Sequence, residues 1–148
     1  MGPMTSTSRD PYSPILKTDA DVTAMWQKLI DPLGWNDIRV YVNVIDADRR
    51  PTPVVLEVDE IPGRFTEGDA RALMRIYAHL IHKNAAGGSI AILVCRPGPP
   101  QLTDDDRTCC RNLYSAGRAA GIPLELLHVG TDTATVPVPM DEVVSRTA

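Results

Sequence analysis

The segment "ILVCRPGPPQLTDDDRT", Ile92 to Thr108, joins a buried strand, a stiff loop and the start of a helix. The run "SIAILVC", which ends in this segment, is apolar in both alternating phases and predicts a central strand covered on both faces. Thr103 precedes three aspartates, an arrangement typical of a helix N-cap followed by an acidic first turn. Loops between the end of a buried strand and a helix often carry function, so a candidate site is expected here.

A helix and a hairpin precede this segment. Asp19 or Asp21 can cap a helix whose apolar residues recur at helical spacing. Those apolar residues are Val22, Met25, Trp26, Leu29 and Ile30. The run "IRVYVNVI" alternates apolar and polar residues and predicts a half-buried strand. Across the turn "DADRRP", the run "TPVVLEVDEIP" predicts its antiparallel partner.

The remaining elements alternate with the buried strand. One helix begins at Thr66, and another spans 104–120 and ends at Gly121. "IPLELLHV" predicts a further strand, and "TATVPVP" predicts an edge strand, because Pro137 and Pro139 cannot donate to a ladder. The predicted order is α-β-β-α-β-α-β-β. The expected fold class is α/β (α+β), a mixed β-sheet with helices packed on its faces.

The composition is that of an ordinary globular protein. The chain has 148 residues, of which 43% are apolar and 23% charged, and its net charge of −4 does not attract nucleic acid or anionic membranes. We expect one domain over 18–140, with tails at 1–17 and 141–148. No apolar run approaches a membrane span, and "MGPMTSTSRDPYSP" lacks a signal-peptide core. Two of the three cysteines are adjacent, so we expect reduced thiols and a cytoplasmic location.

The order of motifs from about Ile38 to Thr131 resembles the RadC-like branch of the JAB/MPN metalloprotease-like fold. The shared features are a hairpin, a helix, a buried strand, a Pro-Gly loop, "[ST]xxD", a helix with "AGxxxGI" and a strand ending in "HVG". The resemblance implies the JAB/MPN (cytidine-deaminase-like) architecture. The loop "RPG…TDDDR" is also similar to that of a group of small proteins from high-GC bacteria.

The resemblance also implies a set of site residues. In the family, two histidines of a His-x-His-Pro motif and the aspartate of Ser-x-x-Asp bind zinc, the serine supports an oxyanion and an upstream glutamate is the acid/base. Pro97 and Gly98 match the loop, Thr103 takes the serine position and Asp106 the aspartate position. Glu57 is the candidate for the upstream glutamate.

The departure from the family pattern lies at the histidines, whose positions hold Val94 and Arg96. A catalytic zinc needs three protein ligands, valine cannot ligate, and arginine brings a fixed positive charge. We therefore expect a non-catalytic JAB/RadC-like domain without metal or other cofactor. The expected role is regulation or protein interaction, with a protein partner or a second copy of the chain, and no role at a membrane.

An alternative is an enzyme or binder of a small anionic or nucleotide-like ligand at a pocket formed by Arg96, Thr103, Asp106 and Glu57. The competing interpretation is that Arg96 pairs with Asp106 and neutralises the old site, because a charge near a buried strand end needs a partner. Thr103 and its aspartates are then only a cap.

A second alternative is nucleic-acid binding through arginine-rich helix faces, which more often are the solvated sides of amphipathic helices. The arginines concerned are Arg71, Arg75, Arg107, Arg111 and Arg118. His79 and His82 lie one turn apart, but this pair matches no zinc signature. A nucleophile formed by Cys95 and His128 is a still weaker hypothesis.

Overall fold

The computed structural model describes residues 15–29, 38–58, 66–84 and 87–143. Of the tails predicted at 1–17 and 141–148, residues 1–14 and 144–148 lie outside the described residues, as do Ile30 and Trp35. Leu16 and Val143, at the inner ends of these predicted tails, are buried. The elements, in chain order, are α1 (Asp19–Leu29), β1 (Arg39–Ile45), β2 (Pro51–Val58), α2 (Glu67–Asn84), β3 (Ser89–Cys95), α3 (Asp104–Ala120), β4 (Leu127–Gly130), β5 (Thr135–Val138) and α4 (Met140–Val143). None of the helices in these ranges has the length and apolarity needed to cross a bilayer.

The five strands form one mixed sheet in the order β2-β1-β3-β4-β5. β1 runs antiparallel to β2 and β3, β3 runs parallel to β4, and β4 runs antiparallel to β5. All seven residues of β3 are buried, and β5 lies at an edge, as predicted. The prediction of a mixed sheet flanked by helices is thus confirmed.

Helices cover both faces of the sheet and create two separate cores. We call the larger one the α2/α3 core; it joins Val42 of β1 to Met74 of α2 and Leu113 of α3. We call the smaller one the α1 core; it joins Trp26 of α1 to Leu93 of β3. A continuous apolar strand such as β3 needs this double cover, because its alternate side chains point to opposite faces.

Two strands differ from the sequence-based expectation. Asn43 and Ile45 of β1 are fully buried although their phase was predicted to face solvent, because the sheet is covered on this second face as well. The predicted strand at 122–129 begins regular pairing only at Leu127. Before that point it touches β3 through a single bridge between Ile90 and Leu124.

The same capping pattern starts each of the three long helices. Thr103 precedes α3, its hydroxyl accepts from Asp106 N, and the Asp106 carboxylate accepts from Thr103 N. The pairs Thr66–Asp69 and Thr18–Asp21 exchange hydrogen bonds in the same way. The caps predicted at Thr103 and Thr66 are confirmed, whereas α1 is capped by Thr18 with Asp21 as its partner. The chain thus uses Thr-x-x-Asp as a general helix start.

Candidate functional site

Arg96 and Asp106 meet where β3 ends and α3 begins. Arg96 N donates to Gly130 O at 2.9 Å, which fixes the first residue after β3 against β4. The Arg96 side chain then turns toward the first turn of α3, where Nε lies 2.9 Å from Asp106 Oδ1 and Nη2 lies 2.7 Å from Oδ2. The two side chains are only 13% and 6% exposed. They form a bidentate, largely buried ion pair.

The remaining N–H groups of Arg96 hold the loop that follows it. Nη1 donates to Pro97 O and Pro99 O, both at 3.0 Å, and Nη2 donates to Gln101 O at 2.9 Å. A guanidinium has five N–H donors, and with the two bonds to Asp106 all five are used. Arg96 therefore has no donor left for a small anion.

The charges of this pair stabilise each other. Burial alone raises the pKa of Asp106, but hydrogen bonds from Arg96 and from Thr103 outweigh burial, and the net effect is a lowered pKa. The hydrogen bond to Asp106 is the main cause of the raised pKa of Arg96. The site is thus a carboxylate and a guanidinium that compensate each other.

Gly98 completes the loop from the outside. Its N–H donates to Asp132 Oδ2 at 2.9 Å, and Asp132 N donates to Gly98 O at 3.1 Å. Its φ of 111° is a conformation that L side chains rarely adopt, and an added Cβ would lie 3.1 Å from Arg96 Nη1. The Pro-Gly loop is therefore shaped by Arg96 on its inner side and by Asp132 on its outer side.

Glu57 does not join this cluster. It pairs with Arg39 at 2.7 Å and accepts from the Tyr41 hydroxyl at 3.3 Å. Residues paired across neighbouring strands point to the same face of a sheet. Glu57 pairs with Tyr41, which pairs with Leu93 of the α1 core, so Glu57 lies on the α1 face. Arg96 and Asp106 lie on the α3 face. The structure brings Arg96, Thr103 and Asp106 together and leaves the fourth residue of the predicted pocket on the other face of the sheet.

The residues present do not fit the zinc that the family resemblance implies. Val94, at the first histidine position, packs into the α2/α3 core and is 6% exposed. Arg96, at the second, binds the carboxylate that would be the third ligand. Within the described ranges no three His, Cys, Asp or Glu side chains are grouped so that they could hold a metal ion.

His79 and His82 are exposed on α2. His82 lines a shallow cavity of about 270 Å³, together with Ile81 and Pro123 among others. The lining is mostly apolar, and none of its other described residues is a carboxylate or a thiol. Among the described lining residues only His82 could bind a metal, so this cavity does not supply a zinc ligand set.

The hypothesis of a Cys95–His128 nucleophile has no support in the geometry. Burial raises the pKa of the Cys95 thiol well above its usual range, so the thiolate is disfavoured. His128 is fully buried, and its Nε2 lies 2.6 Å from Thr23 Oγ1. Its Nδ1 lies 3.0 Å from Leu126 O, and burial lowers the pKa of His128 to about 4. The imidazole is thus a neutral core residue that ties α1 to β4.

Most arginines on the predicted helix faces contact neighbouring residues. Arg71 lies 3.8 Å from Glu67, and Arg107 lies 3.6 Å from Asp104. Arg111 donates to Val143 O at 3.5 Å, and Arg118 lies 3.6 Å from the sulfur of Met140. Arg75 is exposed on α2. Four of these five arginines thus make local contacts, with acids, a backbone carbonyl or a thioether, and Arg75 is exposed.

A second bidentate ion pair, which no sequence pattern predicted, lies at the opposite end of β3 and is half-buried, with Arg49 43% exposed and Glu125 10% exposed. Arg49 sits at the tip of the β1–β2 hairpin with a φ of 67°, and its guanidinium makes a bidentate pair with Glu125. The same carboxylate accepts from the Ser89 hydroxyl at the start of β3. "DADRRP" predicted a turn, but no spacing pattern links it to Glu125.

No known family model matches this chain, and no curated protein gives a significant match to it.

Proposed function

We propose that this chain is a non-catalytic domain of RadC-like, JAB/MPN type whose metal site has been replaced by an internal ion pair, and that it works by binding another protein or a second copy of itself. The observation that carries the proposal is the state of Arg96. Its guanidinium donates to the carboxylate of Asp106, and its remaining N–H groups donate to three loop carbonyls. A side chain used in this way supports a loop and does not bind substrate.

The retained framework supports the resemblance. A buried β3, a Pro-Gly loop and a Thr-x-x-Asp helix start follow one another as in the family motif. The Thr-x-x-Asp element alone is weak support, because α1 and α2 begin with the same pattern. The contact between position 96 and Asp106 across the loop is stronger support, because it depends on tertiary structure.

Restoring the histidines tests the proposal. In the variant Val94→His/Arg96→His, both new imidazoles would stand on the face of Asp106, and two histidines with one aspartate are a zinc ligand set. We expect the wild type to bind no zinc, and the variant to bind one Zn²⁺ per chain in isothermal titration calorimetry. If the double variant folds poorly, zinc binding is measured instead in the variant Arg96→His, which keeps Val94 in the core.

The matched control adds Asp106→Asn to the double variant and is expected to weaken zinc binding strongly. One tightly held zinc in the wild type would overturn the non-catalytic assignment. A folded double variant that binds no zinc would overturn the JAB/MPN assignment.

Self-association is the simplest form of the proposed binding, because β2 and β5 are the edge strands of the sheet formed by the described residues. β5 has four residues and β2 has eight, and this greater length favours β2 as the pairing edge, although β2 also contains prolines, at its start. Light scattering coupled to size-exclusion chromatography measures the mass directly. A monomer at all concentrations would leave a different protein as the partner.

A further inference from the structure

α1 covers one face of the sheet without help from the other long helices. Its buried residues Val22, Met25 and Trp26 belong to the α1 core, and that core shares no residue with the α2/α3 core. Among the described residues, α2 and α3 pack on the opposite face. α1 can therefore leave the sheet without withdrawing any side chain from the α2/α3 core.

Among the described residues, hydrogen bonds to the rest of the fold anchor α1 and the residues before it at two separate points. Thr23 Oγ1 lies 2.6 Å from His128 Nε2, which links the middle of α1 to β4. Leu16, just before α1, donates its N–H to Arg49 O at 2.7 Å and accepts from Arg49 Nε at 3.1 Å. Both anchors join α1 to strands or to the hairpin tip, and neither involves α2 or α3.

The docked state of α1 also buries a polar group, the indole N–H of Trp26. Trp26 is fully buried, and its Nε1 has no hydrogen-bond acceptor among the described residues. A buried donor without a partner destabilises the packed state relative to a state in which water reaches it. Opening of α1 would hydrate this N–H while leaving the large core intact.

We propose that α1 and the residues leading into it, from Ile15, form a cover that opens as a unit and uncovers the α1 side of the sheet while the α2/α3 core stays folded. Native proteins open sub-globally in contiguous cooperative units, and α1 with its separate core is a candidate for such a unit. The proposal does not depend on the function proposed above. In the open state the α1 side of β3, with Leu93 and Cys95, becomes accessible to solvent.

Two cysteines report on the two sides of the sheet. Cys95 belongs to the α1 core and Cys110 to the α2/α3 core, and both are 0% exposed. The full chain is labelled with N-ethylmaleimide under native conditions, and the labelling of each cysteine is followed by mass spectrometry. Each rate is normalised to its value in the urea-unfolded chain. Cys95 is expected to react at least about tenfold faster than Cys110.

The variant Thr23→Val removes the hydroxyl that meets His128 and keeps the shape of the side chain. It is expected to increase the Cys95 rate roughly tenfold, the effect of leaving a buried polar group unpaired, with little change at Cys110. Gln27→Ala, on the exposed side of α1, is the matched control and should leave the Cys95 rate unchanged. Equal rates at Cys95 and Cys110, or equal acceleration of both by Thr23→Val, would show that α1 unfolds only with the whole chain and would overturn the proposal.

Discussion

Arg96 brings a fixed positive charge to the end of a buried strand, where an unpaired charge would be costly. A nearby residue neutralises this charge, because Asp106 lies in the first turn of the next helix. Three loop carbonyls accept the remaining N–H groups of the guanidinium. Removing one partner of such a pair destabilises a protein more than the net contribution of the pair suggests, because the other charge stays buried. Arg96 is therefore expected to be a major stabilising residue.

The variant Arg96→Met keeps most of the aliphatic stem and removes the charge. We expect it to lower the free energy of unfolding by about 3 kcal/mol, because Asp106 then remains 6% exposed without its cation. Urea unfolding followed by circular dichroism measures the change. Arg75→Met, at an exposed position of α2, is the matched control and should stay within about 0.5 kcal/mol of the wild type.

His128 makes stability depend on pH. Burial lowers its pKa from 6.5 to about 4, so between these values the unfolded chain binds a proton that the folded chain does not. The contribution of His128 to the free energy of unfolding is fully present above pH 6.5. As pH falls toward 4 this contribution is lost, by about 3 kcal/mol in total. Comparing urea unfolding of the wild type and His128→Gln at several pH values isolates this contribution. Parallel curves for the two proteins across this range would contradict it.

At the scale of elements, the three Thr-x-x-Asp helix starts differ in one respect. The aspartates of α1 and α2 bond the backbone of the helix start, whereas Asp106 of α3 also holds Arg96. The start of α3 is thus both a cap and the anchor of the Pro97–Gln101 loop. The other two starts are caps only.

Asp106→Asn and Asp69→Asn make the same chemical change in two similar capping boxes. We expect Asp69→Asn to cost less than about 1 kcal/mol, because a capping contact at an exposed helix start is all that changes. Asp106→Asn should cost about 2 to 3 kcal/mol more, because Arg96 loses its buried counter-charge. Thermal or urea unfolding of both variants gives the comparison. Equal costs would mean that Asp106 is no more than a cap.

At the scale of the whole molecule, ion pairs close both ends of the central strand. Ser89 at the start of β3 contacts Glu125, which binds Arg49 at the hairpin tip. Arg96 after its end binds Asp106. Charged side chains at these ends hold the loops to the sheet, and the sheet faces between them are filled by the two apolar cores.

The net charge of −4 and the local contacts of the helix arginines argue against nucleic-acid binding. We expect no increase in fluorescence anisotropy of a labelled DNA duplex or RNA strand at low ionic strength, where phosphate contacts are strongest. Binding that weakens steeply with salt and is lost in Arg107→Gln/Arg111→Gln would contradict this expectation. The nucleic-acid alternative would then become the leading one.

Prediction from sequence succeeded where the determinants are local. The caps at Thr66 and Thr103, the αL terminator Gly121 and the doubly covered β3 each follow from residues within a few positions of one another. Prediction failed for the second face of β1 and for Glu57, because neither depends on the local pattern. Both depend on which element covers which side of the sheet.

The three long helices, the five strands and the mixed α/β class could be predicted from the residues alone, because hydrophobic period and capping chemistry act over one or two turns. The short helix α4, which falls mostly in the predicted tail, could not. Three features depend on the three-dimensional arrangement instead: Arg96 binds Asp106 and three loop carbonyls, Glu57 lies on the other face of the sheet, and Arg49 binds Glu125, 76 positions away. The physical reason is that ion pairing depends on distances between side chains, and strand order and register set those distances.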